Sequence, residues 1–210
     1  MRNFDNPFYP MILQKFYNSL SSRGYHLIFI NTKNENIQEK EINQLIEYNV
    51  DGVIITDALL SSSEAQRFSN NKIAVVLCNR YIENSESSSV LCDNYFAGMK
   101  IAAYLVGLGH SSFAFISGAQ NASTTIDRRR GFEEVLKGNG ISKFLMQDGD
   151  FSYEGGYKAA NELLARGEKI DCIFCANDII AIGAMEAIRG KGLKVPDDIS
   201  VMGFDNINMA

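Results

Sequence analysis

Two hydrophobic periods alternate along the chain. Met11, Leu13, Phe16 and Leu20 fall near helical spacing, and Gly24 supplies a stop before the apolar run Tyr25-His26-Leu27-Ile28-Phe29-Ile30. A second helical stretch, from about Ile37 to Tyr48, sets Ile42, Leu45 and Ile46 on one face. The β-branched run Asp51-Gly52-Val53-Ile54-Ile55-Thr56 follows, then a weaker helix around Ser63–Phe68 and the run Ile73–Cys78. The three apolar runs predict strands without inside–outside alternation. Such strands are covered on both faces, as in a parallel sheet whose crossovers are helices.

The texture changes at Ile82–Ser89, which is polar and aperiodic and reads as a loop. It divides the chain into an expected first lobe, 1–90, and a second lobe, 91–210. Alternation then resumes, with a helix Tyr95–Leu108, a strand Ser112–Ile116 and a helix from about Ser123 to Lys137. Next come a helix Tyr153–Ala165, a strand Asp171–Cys175, a helix Asp178–Gly190 and a strand Ile199–Gly203. Gly109, Gly138, Gly167 and Gly192 fall where helix C-caps are expected. The fold class is therefore α/β, as two successive doubly wound lobes.

Composition narrows the function. The 210 residues are 46% hydrophobic and 21% charged, which excludes disordered and low-complexity classes. The formal net charge of −5 disfavours a bare nucleic-acid binder, which needs a concentrated basic face. No apolar run approaches the roughly 20 residues of a membrane span. The start Met1-Arg2-Asn3-Phe4-Asp5-Asn6-Pro7 lacks the apolar segment of a signal peptide. Four scattered cysteines make no disulfide framework. The chain reads as soluble and cytoplasmic.

Several short motifs reduce to structural explanations. Cys172-Ile173-Phe174-Cys175 has no second ligand pair for zinc, and lies in an expected strand where positions three apart point to opposite faces. These are read as core thiols. Gly107-Leu108-Gly109-His110-Ser111-Ser112 ends a helix and precedes a strand, the reverse of a dinucleotide fingerprint. His26 and His110 have no evident nucleophile partner, and no nucleophile elbow, phosphate loop or zincin motif occurs. The reading is of a non-enzyme, without cofactor or metal. Arg128-Arg129-Arg130 would spread over about 200° of a helix, so at most one of the three serves a site.

Polar and aromatic residues do accumulate where ligands bind in open α/β sheets, beyond the strand C-termini. Phe8 and Tyr9 open the first helix, and Phe151 follows Gly149-Asp150 ahead of another. Asn79, Asn177, Asp178 and Asp205 follow strands. Each has a bland alternative: Asn177, directly ahead of a helix, is as well placed to be a cap as a ligand contact.

In order and spacing the chain resembles the ligand-binding core of LacI/GalR-family transcription regulators, which have the periplasmic-binding-protein type I fold. The markers are Asn6-Pro7-Phe8-Tyr9-Pro10, Asp51-Gly52-Val53-Ile54, Asp93-Asn94 with Gly98, and Leu105 with Leu108-Gly109-His110. They continue through Arg128-x-x-Gly131-Phe132, Gly149-Asp150-Phe151, Asn177-Asp178 with Ala181 and Gly183-Ala184, and Val195-Pro196-Asp197-Asp198 through Gly203-Phe204-Asp205-Asn206. The resemblance implies a small effector between the lobes: a sugar, sugar phosphate or purine. It carries ligand-binding roles onto Phe8, Tyr9, Asn79, Thr124, Arg128, Phe151, Asn177 and Asp205. At the position of Asn79 a carboxylate is an alternative among other members, so the resemblance leaves the hydrogen-bonding pattern there open.

The resemblance also implies a homodimer that reaches operator DNA through a headpiece not found in this sequence, with no membrane partner. Against the family pattern, the chain is expected to be incomplete at both ends, lacking the first strand of lobe 1 and the return crossovers. Such a lobe is expected to be marginal or to pair abnormally. The competing reading is an extracytoplasmic sugar-binding protein of a transport system; an enzyme acting on a sugar is the third.

Overall fold

A computed structural model describes residues 6–32, 36–56, 60–82 and 87–209. The chain separates into two compact units, Met1–Cys92 and Asp93–Ala210.

The first unit carries α1 (Phe8–Ser21), α2 (Glu39–Glu47), β1 (Gly52–Ile55), α3 (Ser62–Asn70), β2 (Ala74–Cys78) and β3 (Ser88–Val90). Its sheet is parallel with order β1-β2-β3. Ile42 and Leu45 of α2 and Phe68 of α3 pack with Val53, Ile55 and Leu77. A capping box at Ser61 and Glu64 starts α3: Glu64 N–H donates to the Ser61 hydroxyl, and Ser61 N–H to the Glu64 carboxylate.

Two expectations fail in this unit. The run from 25 to 30 is not a strand, and Tyr25, Leu27, Ile28 and Phe29 are exposed. Apolar β-branched content favours a strand only where a neighbouring ladder exists to join. Among the described strands, β1 is the sheet edge and β2 its only neighbour. Conversely, Ser88–Val90 lies within or beside the stretch expected as a loop, yet forms β3 through pairing with Val76–Cys78. Its three residues are all exposed, so the sequence carries no apolar signal. Residues 83–86 of the expected loop lie outside the described residues.

The second unit carries α4 (Asn94–Gly107), β4 (Phe113–Ser117), α5 (Ser123–Gly138), β5 (Leu145–Asp148), α6 (Tyr153–Ala165), β6 (Cys172–Cys175), α7 (Asp178–Gly190) and β7 (Ser200–Met202). All pairings are parallel, in the order β5-β4-β6-β7. Every residue of β4 and β6 is buried, as the continuous apolar runs require of central strands. Phe113, Phe115, Phe132 and Phe174 form the aromatic centre of the core, with ring centroids 5.1–6.4 Å apart in the contacting pairs.

β5 escaped the sequence reading because it is an edge strand, half-buried and exposed in alternation, so Leu145-Met146-Gln147-Asp148 shows no apolar run. The α5 stop is also shifted. Gly138 is the last helical residue, and the left-handed turn is made by Gly140 at φ 77°. Cys172 and Cys175 are free and buried within β6.

Candidate functional site

In the second unit the functional candidates gather at the C-terminal edge of the sheet. Thr124 follows β4, Phe151 follows β5, Asn177 follows β6 and Asp205 follows β7. Short links hold these strand exits together. Gly149 N–H donates to Ser117 O, Ala176 N–H to Ile116 O, and Asp178 N–H to Phe204 O, each at 2.9 Å.

Arg128 stands at the centre of this edge. It lies on α5 and is only 2% exposed, whereas Arg129 and Arg130 point outward. One arginine of the triplet is thus committed to the interior, within the limit of one that the helical spread sets. Its Nε donates to Asn94 Oδ1 at 2.9 Å, and its terminal nitrogen donates to the Ala176 carbonyl. The guanidinium carbon lies 3.5 Å from the Phe204 ring centroid, and a terminal nitrogen lies 3.9 Å from an Asp205 carboxylate oxygen. Buried charge is tolerated when the fork is hydrogen-bonded and a counter-charge is near.

Asp205 is 7% exposed in its side chain, and its carboxyl pKa is pushed up to about 7. Burial is the main cause, Asp178 adds repulsion, and Arg128 pulls the other way. Desolvation outweighs the attraction because 3.9 Å is a loose ion pair. Asp205 can thus exchange a donor role for an acceptor role near neutral pH.

Asp178 shapes the loop that presents Asp205. Its carboxylate accepts from Ile207 N–H at 2.9 Å. A side chain at Gly203 would strike that carboxylate at 2.1 Å. Burial also raises the Asp178 pKa, while backbone hydrogen bonds and Arg128 oppose the rise. Asp205 itself has φ 109°, a left-handed conformation that costs a non-glycine residue energy.

The remaining residues of this unit divide by role. Thr124 is buried, one helical turn before Arg128. Phe151 lays its ring over Gly118, where an added Cβ would meet ring carbons at 2.1–2.4 Å. Asn177 caps α7, its side chain accepting from Ile180 N–H at 2.8 Å. The capping alternative is therefore realised there. Sequence reasoning missed Asn94 and Phe204, both of which hold Arg128; each lay inside a recognised marker, but neither residue type announces an arginine seat.

In the first unit, Asn6 accepts from Phe8 N–H at 3.0 Å and sets the start of α1. Phe8 and Tyr9 meet edge to face at 5.4 Å, with Tyr9 buried. Asn79 follows β2 with φ 66°, and its N–H donates to Val90 O at 2.8 Å. His110 of the second unit has its Nδ1 3.6 Å from Asp171, away from any nucleophile partner in the described contacts. Among the described residues, no three His, Cys, Asp or Glu side chains group as a metal site. No helix there is long and apolar enough to cross a membrane.

The family profile of periplasmic binding proteins and the sugar-binding domain of the LacI family matches residues 1–210. The chain belongs to this family. The LacI-family relatives include the HTH-type transcriptional repressor PurR of Histophilus somni strain 129Pt, 32% identical over 208 residues. That match covers 97% of this chain and 62% of the repressor. The HTH-type transcriptional regulator AscG of Escherichia coli K12 is 30% identical over 192 residues, covering 90% of this chain and 57% of AscG. The chain thus spans about three fifths of the length of these curated relatives. Among solved structures, the transcriptional regulator CelR in complex with cellobiose superposes with a TM-score of 0.88 at 28% identity, covering all of this chain and 66% of CelR. These matches give the α/β architecture with parallel sheets its place among periplasmic-binding-protein type I-like effector domains.

Proposed function

We propose that this chain is the effector-sensing, dimerising core of a LacI-type transcriptional repressor. In this reading the chain, with lobes 1–90 and 91–210, binds a small sugar-like ligand, and the binding is passed to a DNA-binding headpiece lying outside these residues. The observation that carries this reading is Arg128, buried at the C-terminal edge of a parallel sheet beside Asp205. A guanidinium fork and a carboxyl group suit neighbouring hydroxyls, and Phe151 offers an apolar face for a ring.

The ligand contacts in this reading are Phe8, Tyr9 and Asn79 from lobe 1, with Thr124, Arg128, Phe151, Asn177 and Asp205 from lobe 2. The effector class is a sugar, sugar phosphate or purine; the cellobiose bound by CelR supports a sugar. The repressor and regulator relatives favour this reading over a transport protein. In this reading the protein works in the cytoplasm as a homodimer, meets operator DNA through its headpiece and performs no chemistry on its ligand. A switch from mostly one state to mostly the other needs about 5.5 kcal/mol of differential ligand affinity.

A thermal-shift screen against sugars, sugar phosphates and purines identifies the effector, and calorimetry then compares Arg128→Ala and Asp205→Ala with the parent. Loss of binding in both variants is expected. Undiminished binding in both refutes the site.

A further inference from the structure

Asp205 faces Arg128 across a gap that the packing on each side holds open. Arg128 is pinned by its bonds to Asn94 and to the Ala176 carbonyl, and by stacking on Phe204. Asp178 pins the chain on both flanks of Asp205. Its N–H donates to Phe204 O and its carboxylate accepts from Ile207 N–H, each at 2.9 Å. The 3.9 Å left between guanidinium nitrogen and Asp205 oxygen is too long for a hydrogen bond. No other donor among the described residues reaches the Asp205 carboxyl, although its side chain is only 7% exposed.

The charged groups around Asp205 come from the elements that meet at this edge. α5 supplies Arg128, the one attraction, while Asp127 on the same helix pairs with Arg130. α7 supplies Asp178, a like charge whose backbone donors oppose its own protonation. Cys175 at the end of β6 is neutral, since burial holds its thiol well above the ordinary value. Beyond β4 and β5, Asp148 accepts from Ser117 and Gln120, and Asp150 from Ser152. A carboxyl that is desolvated, lacks a donor and sits beside a second carboxylate favours its neutral acid.

A ligand hydroxyl that donates to Asp205 moves this balance in one direction. Burial has already removed most water from the carboxyl, so the hydroxyl adds a donor while taking away little further hydration. The new bond is charge-assisted when Asp205 is ionised and weaker when it is neutral. Given Asp205 as an effector contact in the reading above, we propose that effector binding is coupled to release of the proton held by Asp205. Affinity for an uncharged, hydroxyl-bearing effector then rises as pH passes through neutrality. The proton goes to the solvent, and the ligand O–H stays intact as the donor to the carboxylate.

Titration calorimetry of the protein with cellobiose, ribose and adenosine between about pH 5 and pH 8 reads the coupling. A probe that binds is expected to do so at least about tenfold more tightly at the upper end of that range than at the lower. Repeating the titration near about pH 6 in buffers of low and high ionisation enthalpy counts protons, and release of roughly one per bound ligand is expected. Asp205→Asn, a permanent stand-in for the neutral acid, is expected to keep about the parent's acid-pH affinity, with neither slope nor proton release. The proton count on the parent decides alone if the variant does not fold. Flat affinity, proton uptake, or a slope that survives in Asp205→Asn overturns the coupling and leaves the sensing function standing. Failure of all three probes to bind at any pH removes the sensing function, and the coupling with it.

Discussion

The guanidinium of Arg128 stacks 3.5 Å from the centroid of the Phe204 ring while its Nε donates to Asn94. One side chain on α5 thereby joins the start of α4, the exit of β6 through Ala176, and the loop after β7. The planar fork and its polarizable face are both used, which an ammonium cannot reproduce.

Arg128→Lys should therefore behave as a disruptive change despite keeping the charge. It loses the bond to Asn94 and the stacking on Phe204, and leaves Asn94 Oδ1 buried without that donor. A loss of about 2–4 kcal/mol is expected in urea denaturation, comparable to breaking a buried charge network. A loss below about 0.5 kcal/mol would mean that the network contributes little.

Asp205 predicts a pH dependence with a definite sign. Its folded pKa of about 7 lies above the ordinary carboxylate value, so between those two values the folded state holds a proton that the unfolded state has released. This group's contribution to stability therefore falls as pH rises from about 4 to 7, and is level above that. Asp205→Asn should remove this component and flatten the difference in denaturation midpoint between pH 5 and pH 8. An unchanged pH slope in the variant would place the titration elsewhere.

The alternation of elements was legible in the sequence wherever a strand is central. β4 and β6 are buried throughout, and their apolar runs stand out. Of the described edge strands, β1 and β7 were legible from their β-branched runs, whereas β5 and β3 were not, because they carry polar residues and owe their form to pairing with a neighbour. The run at 25–30 erred in the opposite direction, since its apolar composition expects a ladder that the described strands do not supply. At the site, helical geometry required that Arg128, Arg129 and Arg130 diverge, but only the family marker selected Arg128. Asn94 and Phe204 were hidden because their roles depend on contacts spanning 34 and 76 positions of chain, which no local pattern encodes.

Close packing of α4 on α5 controls the same arginine. A Cβ at Gly98 would lie 2.2 Å from the Arg128 carbonyl oxygen, and one at Gly131 would lie 2.0 Å from the Tyr95 carbonyl oxygen. Both obstacles are backbone atoms, so neither helix can relieve the clash by a rotamer change. Gly98→Ala should force the helices apart, cost about 1–3 kcal/mol and weaken effector binding through Arg128. Chemical denaturation and calorimetry on the same variant read the two effects. Full stability together with full binding would show that the helix spacing is not what holds Arg128.

Gly118→Ala separates ligand binding from folding. The atoms an added methyl would meet belong to the Phe151 ring, at 2.1–2.4 Å. A ring at the end of a side chain can swing away, whereas the backbone under it need not move. Phe151 is only half-buried where it packs against the core, so its displacement should cost less than about 1.5 kcal/mol in stability. If Phe151 forms the apolar wall for the effector, the same displacement removes a ring contact and weakens binding by roughly tenfold, since an aromatic pair contributes about 0.5–1.5 kcal/mol beyond its buried area. Phe151→Leu, which keeps an apolar side chain without the planar face, should weaken binding to a similar degree without the steric clash. Calorimetry with the effector found by screening decides the matter: unchanged affinity in both variants would remove Phe151 from the site, while loss in both with near-parent denaturation midpoints assigns the ring to ligand contact.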